Sequence, residues 1–527
     1  MTEDETEPIL APSKSYRGSI VSYEAVGHED DPEGLTSGAG QARRTVTITT
    51  VEDLRACEAI ASGLGGGGGG GRESLVSRGV RSMRGSLRAS LANSARRSFR
   101  LGGRRVSVRD AGGSATVTNE TFNLIKNIVG CGVLSVPRGI AAFANAPSAM
   151  YPATVLIAVT GAIFGYFFHL LGRVCRVTQT ATYREAWEQS VGESGSLVVA
   201  LVNTLKAALG NLSYSMILGN LIRDILKTAG VAASRTAAIL GVTVVVLLPL
   251  CMFKNLKVLA PFSIAGLGGM LFTGASMGIR YFDGSYDVAR DGRFLDDLEE
   301  EMMPSFGAKG AGYALTPQVL VLACMLFESF VAHYNAPRYY VELENNTVRR
   351  FAAVTVNSFG VSSAFFVVVA AFGFLTFGES CSGLILDNYS AQDTLATMSR
   401  IGLSFAIAFT YPILFIGVRD GILDMLMVPS ELQTTNNLNF LSVVLLAVIT
   451  TLAVMFTDLG LVSAVGGGTL ATATVFVFPA LMFYHAVKAR GDKATAAQKA
   501  EANFSIALMC LGIVMGVIGV VLAVQGE

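Results

Sequence analysis

Residues 123–137 read NLIKNIVGCGVLSVP. They belong to an apolar run over about 119–144, long enough to cross a hydrocarbon core that takes roughly 20 residues. A plain anchor would be leucine and valine throughout. This run instead holds a lysine, Lys126, two glycines one residue apart, Gly130 and Gly132, and a proline, Pro137. A helix interrupted in hydrocarbon is tolerated only where protein or a water-filled cavity satisfies the freed backbone groups.

Unwinding over 129–134 leaves carbonyls at the end of one half-helix and N–H groups at the start of the next. These poles carry about half a negative and half a positive charge. A zwitterion such as an amino acid matches them, carboxylate to the N–H end and ammonium to the carbonyl end, as in discontinuous helices of transporters. Glycine also serves plain helix packing in membranes, so the GxG pair needs a counterpart elsewhere. Residues 324–343, CMLFESFVAHYNAPRYYVEL, supply one: Glu328, Ser329, His333, Asn335 and Pro337 inside a second apolar run.

The rest of the chain fits a polytopic membrane protein. Of 527 residues, 51% are hydrophobic and only 15% charged, against about 25% charged in soluble domains. Eleven apolar spans are expected, at about 119–144, 150–174, 196–226, 234–252, 256–281, 315–337, 351–377, 395–418, 438–457, 459–486 and 503–524. The seven cysteines show no CxxC pair, which argues against a disulfide framework or a zinc site. The acidic start, MTEDETEPIL, has no apolar core of a signal peptide.

Residues 1–117 read as a disordered cytosolic tail, with a glycine run at 65–71 and eleven arginines over 72–109. That basic stretch is expected to associate with anionic lipid. ETEPIL, at 5–10, is similar to an acidic dileucine-type sorting signal, so the expected membranes are plasma or vacuolar and endolysosomal. With the tail in the cytosol, thirteen lysines and arginines fall in inside loops and seven in outside loops. The acidic loop 283–312 and the sequon at Asn388 then fall outside, which makes Asn388 a glycosylation candidate.

Several segments together carry a resemblance. FNLIKNIVGCGVLSVPRGIA resembles the first-helix motif of the amino acid/auxin permease family, the neutral, proton-coupled and vacuolar amino acid carriers. TYREAWEQSVGE (182–193) is similar to the amphipathic segment after its second helix, and FESFVAHYNAPRYYVELEN (327–345) to its sixth helix. GFLTFG (373–378), AFTYPILFIGVRDGI (408–422) and GGGTLATATVFVFPALMFYH (466–485) resemble its seventh, eighth and tenth. The resemblance spans 118–524 and leaves the tail uncovered. It implies an all-α LeuT-type fold of eleven helices, the first and sixth discontinuous. Two inverted repeats of five would lie over about 119–281 and 315–486, with an extra helix over about 503–524.

The expected substrate is an amino acid held by Val129, Gly130, Cys131, Gly132, Asn211, Tyr214, Phe327 and Ser329. Lys126, Thr410 and Glu328 are the expected ion-coupling residues. In sodium-coupled members an asparagine stands at the position of Lys126, sharing a sodium site with a threonine that matches Thr410. Proton-coupled members carry a lysine there. A lysine in mid-membrane costs about 2.5–3.5 kcal/mol on insertion scales, and burial disfavours its charged form. Proton coupling is therefore expected, with a sodium-coupled carrier as one alternative. Another is an amino acid sensor signalling through the tail. A channel is disfavoured, since no filter motif is evident. Lys206 is read as snorkelling to the interface, His333 either as titrating or as packed, and the glycines at 466–468 as a close helix contact. No cofactor, metal or nucleic acid is expected. A membrane enzyme is disfavoured because the four histidines, His28, His169, His333 and His485, lie in no HExxH pattern.

Overall fold

The computed structural model describes residues 113–252 and 262–526. The expected tail, its glycine run, its arginine stretch and the dileucine-type signal lie outside these residues. Among the described residues, nine helices are long and apolar enough to cross a membrane, ten when one bent pair counts as a span. The sequence reading expected eleven. Its fifth span begins in residues outside the description, and the described remainder is helical over Phe262–Phe282.

The bent pair is the opening stretch. Helix α1 (Val117–Ile128) begins on the side chain of Thr116, which accepts from the Asn119 amide, and stops at Val129. A 3₁₀ turn, Cys131–Ser135, leads into α2 (Val136–Ala141), and the two halves meet at 42°. Pro137 sits in the first turn of α2, where its missing N–H is no loss. The same device recurs further on. Helix α8 (Val319–Phe330) ends at an extended Val331, a 3₁₀ turn follows at His333–Asn335, and α9 (Ala336–Glu342) carries Pro337 in its first turn.

The other elements are α3 (Met150–Thr178), the short α4 (Tyr183–Ser190), α5 (Ser196–Thr228), α6 (Arg235–Met252) and α7 (Phe262–Phe282). After α9 come α10 (Val348–Phe377), α11 (Thr394–Met425), α12 (Thr435–Met455), α13 (Leu459–Ala489) and α14 (Ala496–Gln525). α5 lies along α11 and α6, and α7 along α11. α3 lies along α10, which also flanks α1. Hereafter the end at which α1 begins is the near end and the opposite one the far end.

Lipid tails are as apolar as leucine, so close backbone approach through small residues carries much of the packing. On α14, Gly512, Gly516 and Gly519 face Phe476, Gly468 and Cys324, with no room for a β-carbon. Within α13 the backbone widens into two π-helical stretches, Gly467–Ala471 and Ala473–Val477. The Thr472 hydroxyl donates to the Gly467 carbonyl, and the Tyr183 hydroxyl of α4 donates to the Thr474 carbonyl at 2.6 Å.

At the far end the loop 380–393 is held from inside. Arg400, 1% exposed, donates to the carbonyls of Leu386 and Ser390 and lies 3.5 Å from Asp224. Asn388 is fully buried. Its amide donates to the Ser380 carbonyl and accepts from the Ser382 amide. The asparagine of the expected glycan acceptor is thus used inside the folded loop.

Beside it, burial first and Asp224 second push the Asp387 carboxyl up to about 7, with only Oδ2 hydrogen-bonded, to Asn220. The folded state thus holds this proton more tightly than the unfolded chain does. Stability from this group is present in acid and is lost as pH rises from about 4 through about 7. The ceiling is roughly 4 kcal/mol, reduced by partial solvent screening to about 1–2 kcal/mol. Asp387→Asn is expected to raise the thermal midpoint at pH 8 and leave it nearly unchanged below about pH 4, read by unfolding in detergent. An equal effect at both pH values refutes the titration.

Candidate substrate and coupling site

A cavity of about 480 Å³ runs inward from the near end, between α1, α5, α7, α9 and α11. Arg338 and Glu342 of α9 stand at its outer part, paired at 2.7 Å. Its walls include Lys126 on α1, Val129, Gly130 and Cys131 at the break, Tyr214 on α5 and Thr410 on α11. Six of the expected residues, drawn from three parts of the chain, thus meet at one cavity. Asn335 and Tyr339, which the sequence reading did not assign, line it too.

The break gives this wall its character. Gly130 is extended (φ −106°, ψ −176°), and a β-carbon there would meet nothing within 4 Å. Glycine at this position therefore leaves open space beside backbone polar groups. Gly132 is different, since a β-carbon there would lie 3.2 Å from the Ser329 hydroxyl. It brings the α1–α2 break against the last turn of α8. Across it, the Ser135 hydroxyl donates to the Gly132 carbonyl at 2.8 Å.

Lys126 lies in the last turn of α1, half-buried, and forms no ion pair among the described residues. The Thr410 hydroxyl donates to the Ala406 carbonyl within its own helix, at 2.8 Å, which leaves its lone pairs free to accept.

The remaining expected residues are not on the cavity wall. Asn211 is fully buried, with its amide donating to the Ala207 carbonyl. Phe327 packs between Phe164 and Phe476, with ring centroids 5.4 and 5.2 Å away. The Ser329 hydroxyl donates back to Met325. Glu328 is paired with Lys206 at 2.5 Å. This corrects the reading of Lys206, which is buried within α5 and does not snorkel. Opposite charges in two apolar spans were the signal that could have paired them. His333 is a packed histidine: it is fully buried, its Nε2 lies 2.9 Å from the Phe164 carbonyl oxygen, and its ring is edge-on to Phe164 and Phe168.

Residues 113–524 match the family described as transmembrane amino acid transporter protein. The chain belongs to this amino acid transporter family. The transporter is a multi-pass integral membrane protein, and its family places it among carriers, not enzymes. It is 25% identical over 386 residues to "Putative sodium-coupled neutral amino acid transporter 11" of Danio rerio, covering 72% of this chain and 81% of that one. The Bos taurus protein of the same name is 23% identical over 413 residues, covering 76% and 82%. Among solved structures, MhsT in complex with L-phenylalanine aligns with a TM-score of 0.50 and 12% identity, over 79% of this transporter and all of that chain. This likeness supports a LeuT-type helical fold.

Proposed function

We propose that the transporter carries amino acids across a membrane by alternating access and is coupled to protons. The observation that carries this reading is the placement of the α1 break, with Lys126 one turn before it, on the wall of a single cavity. The carboxylate of a zwitterion would meet the N–H groups that open the Cys131–Ser135 turn, which have no acceptor within their own helix. Its ammonium would meet the carbonyls that end α1. Residues Val129, Gly130, Cys131 and Tyr214 form this pocket, and Gly132 and Ser329 hold its floor against α8. Asn211 and Phe327 act from behind the wall, by shaping the helices that bear it.

Lys126 and Thr410 line the same cavity, and the lysine ammonium supplies the positive charge that sodium supplies in sodium-coupled carriers. A second reading, sodium coupling, is favoured by the names of the relatives and by Thr410 lining the same cavity. Two inverted repeats, a cytosolic tail drawn to anionic lipid, and residence in a plasma or vacuolar and endolysosomal membrane complete the proposal.

The test is uptake of radiolabelled amino acids into proteoliposomes at imposed pH gradients, with sodium or choline as the cation. The expected result is uptake that rises with an inside-alkaline gradient and changes less than about twofold when sodium is removed, a free-energy difference under about 0.5 kcal/mol. Loss of uptake without sodium overturns the coupling and favours the second reading.

A further inference from the structure

Two opposite charges stand behind the cavity wall, and transport through the α1 break does not use them. Lys206 of α5 donates to Glu328 Oε1 of α8 at 2.5 Å, with side-chain exposures of 9% and 12%. The second carboxylate oxygen, Oε2, is buried and accepts no hydrogen bond. It faces α13 where that helix has only Gly466; a β-carbon there would lie 3.0 Å from it. A buried ion pair is a sound structural device when the remaining lone pairs are satisfied. Here one oxygen has no protein donor, in a narrow space beside Gly466.

The pair joins two helices that share a neighbour: α5 packs chiefly on α11, α6 and α13, and α8 on α13, α14 and α2. The pair stands close behind the cavity wall, because Cys131 lines the cavity and adjoins Gly132. The residue after Glu328, Ser329, touches Gly132 in the α1 break. Occupancy of the cavity and the state of Glu328 therefore meet in a single helical turn.

We propose that Lys206 and Glu328 form a second proton-exchange site, distinct from Lys126, whose protonation releases α8 from α5 as the cavity changes the side it faces. A proton added to Oε2 makes one O–H bond, breaks no covalent bond, and takes the pair from neutral to singly positive. The attraction holding α8 to α5 then falls from that between two full charges to that between an ammonium and a neutral acid. The charged group in contact with Glu328 is Lys206 of α5, the titratable groups within its electrostatic reach are Tyr214, Cys131 and Tyr334, and α13 presents Gly466. This inference rests on the proton-coupled reading above and names a group that takes the proton.

The test uses the full chain in proteoliposomes with pooled radiolabelled standard amino acids. Counterflow at equal pH reads binding and alternation, and accumulation under an inside-alkaline gradient reads coupling. Glu328→Gln is expected to keep counterflow within about threefold, to lose its pH dependence, and to lose at least about tenfold of the gradient-driven accumulation. The double variant Lys206→Met with Glu328→Met removes both charges, is expected to behave alike, and decides the matter if the single variant does not fold. Accumulation at the wild-type level in either variant overturns the proposal. So does loss of counterflow in the double variant, which would make the pair a structural brace. Wild-type vesicles with no counterflow overturn amino acid transport itself, and the inference with it.

Discussion

Gly467→Ala is expected to abolish the folded protein. A β-carbon on Gly467 would stand 1.7 Å from the Cys324 carbonyl oxygen, and the atom it meets is backbone, with no rotamer to yield. α13 and α8 would have to part by more than 1 Å along a contact that also carries Glu328. Overpacking commonly costs about 1–3 kcal/mol, and a backbone collision between two buried helices belongs above that range. Monodisperse yield after detergent extraction is the readout. A normal yield would mean that the helices do not approach as described. Gly130→Val is the contrast. Space is open at that position, so yield should stay near wild type. Uptake should fall at least about tenfold, the equivalent of about 1.4 kcal/mol, because the added methyls fill the wall beside the backbone poles.

Arg280→Met is expected to lower stability by about 3–5 kcal/mol, the usual result of stripping one partner from a buried ion pair. Asp393 is fully buried and receives two hydrogen bonds from the Arg280 guanidinium, at 2.6 and 2.8 Å, and one from the Tyr286 hydroxyl. It also caps α11 by accepting from the Leu395 amide at 2.9 Å. Removing the arginine leaves a buried charge without its counterion at the point that fastens α7, the far-end loop and α11 together. The double variant with Asp393→Asn keeps a capping oxygen without the charge and should recover at least about half of the loss. Thermal unfolding in detergent measures both. A double variant as unstable as the single one would refute the electrostatic account.

The break in α1 was legible because glycines and a proline in an apolar run have few other physical meanings. The cavity residues nearest to it followed for the same reason: Lys126, Val129, Gly130 and Cys131 are fixed to the break by sequence adjacency. Tyr214 and Thr410 lie far off in the chain: Thr410 is reached through the family resemblance, and Tyr214 as a polar residue within the third span. Asn211, Phe327 and Ser329 lie behind the cavity wall, because helical facing depends on packing angles that spacing alone does not set. Lys206 was misjudged from its own helix, where an isolated lysine reads as snorkelling. Its partner is 122 positions away, and such a pairing shows only once the helices are folded. Asn388 carries a sequon by composition, yet its loop folds inward around Arg400 and Tyr389, which no local pattern announced.

The two widened stretches of α13 have a mechanical meaning. Each stores one residue more than a regular helix of the same rise, and such a fault can migrate by exchanging one hydrogen bond at a time, so that no more than one is open at any moment. Passing one fault along turns the residues it traverses by about 100°, the angle that one residue subtends in an α-helix, and leaves both ends of the helix where they were. Phe478, wedged edge-on against Trp187 and Tyr183 of the amphipathic α4, sits just below the second fault. α13 is in this respect a screw with slack in its thread: its far-end half is held by α8 and α14, its near-end half by α14, α3 and α4, and the slack lies in the stretch between them.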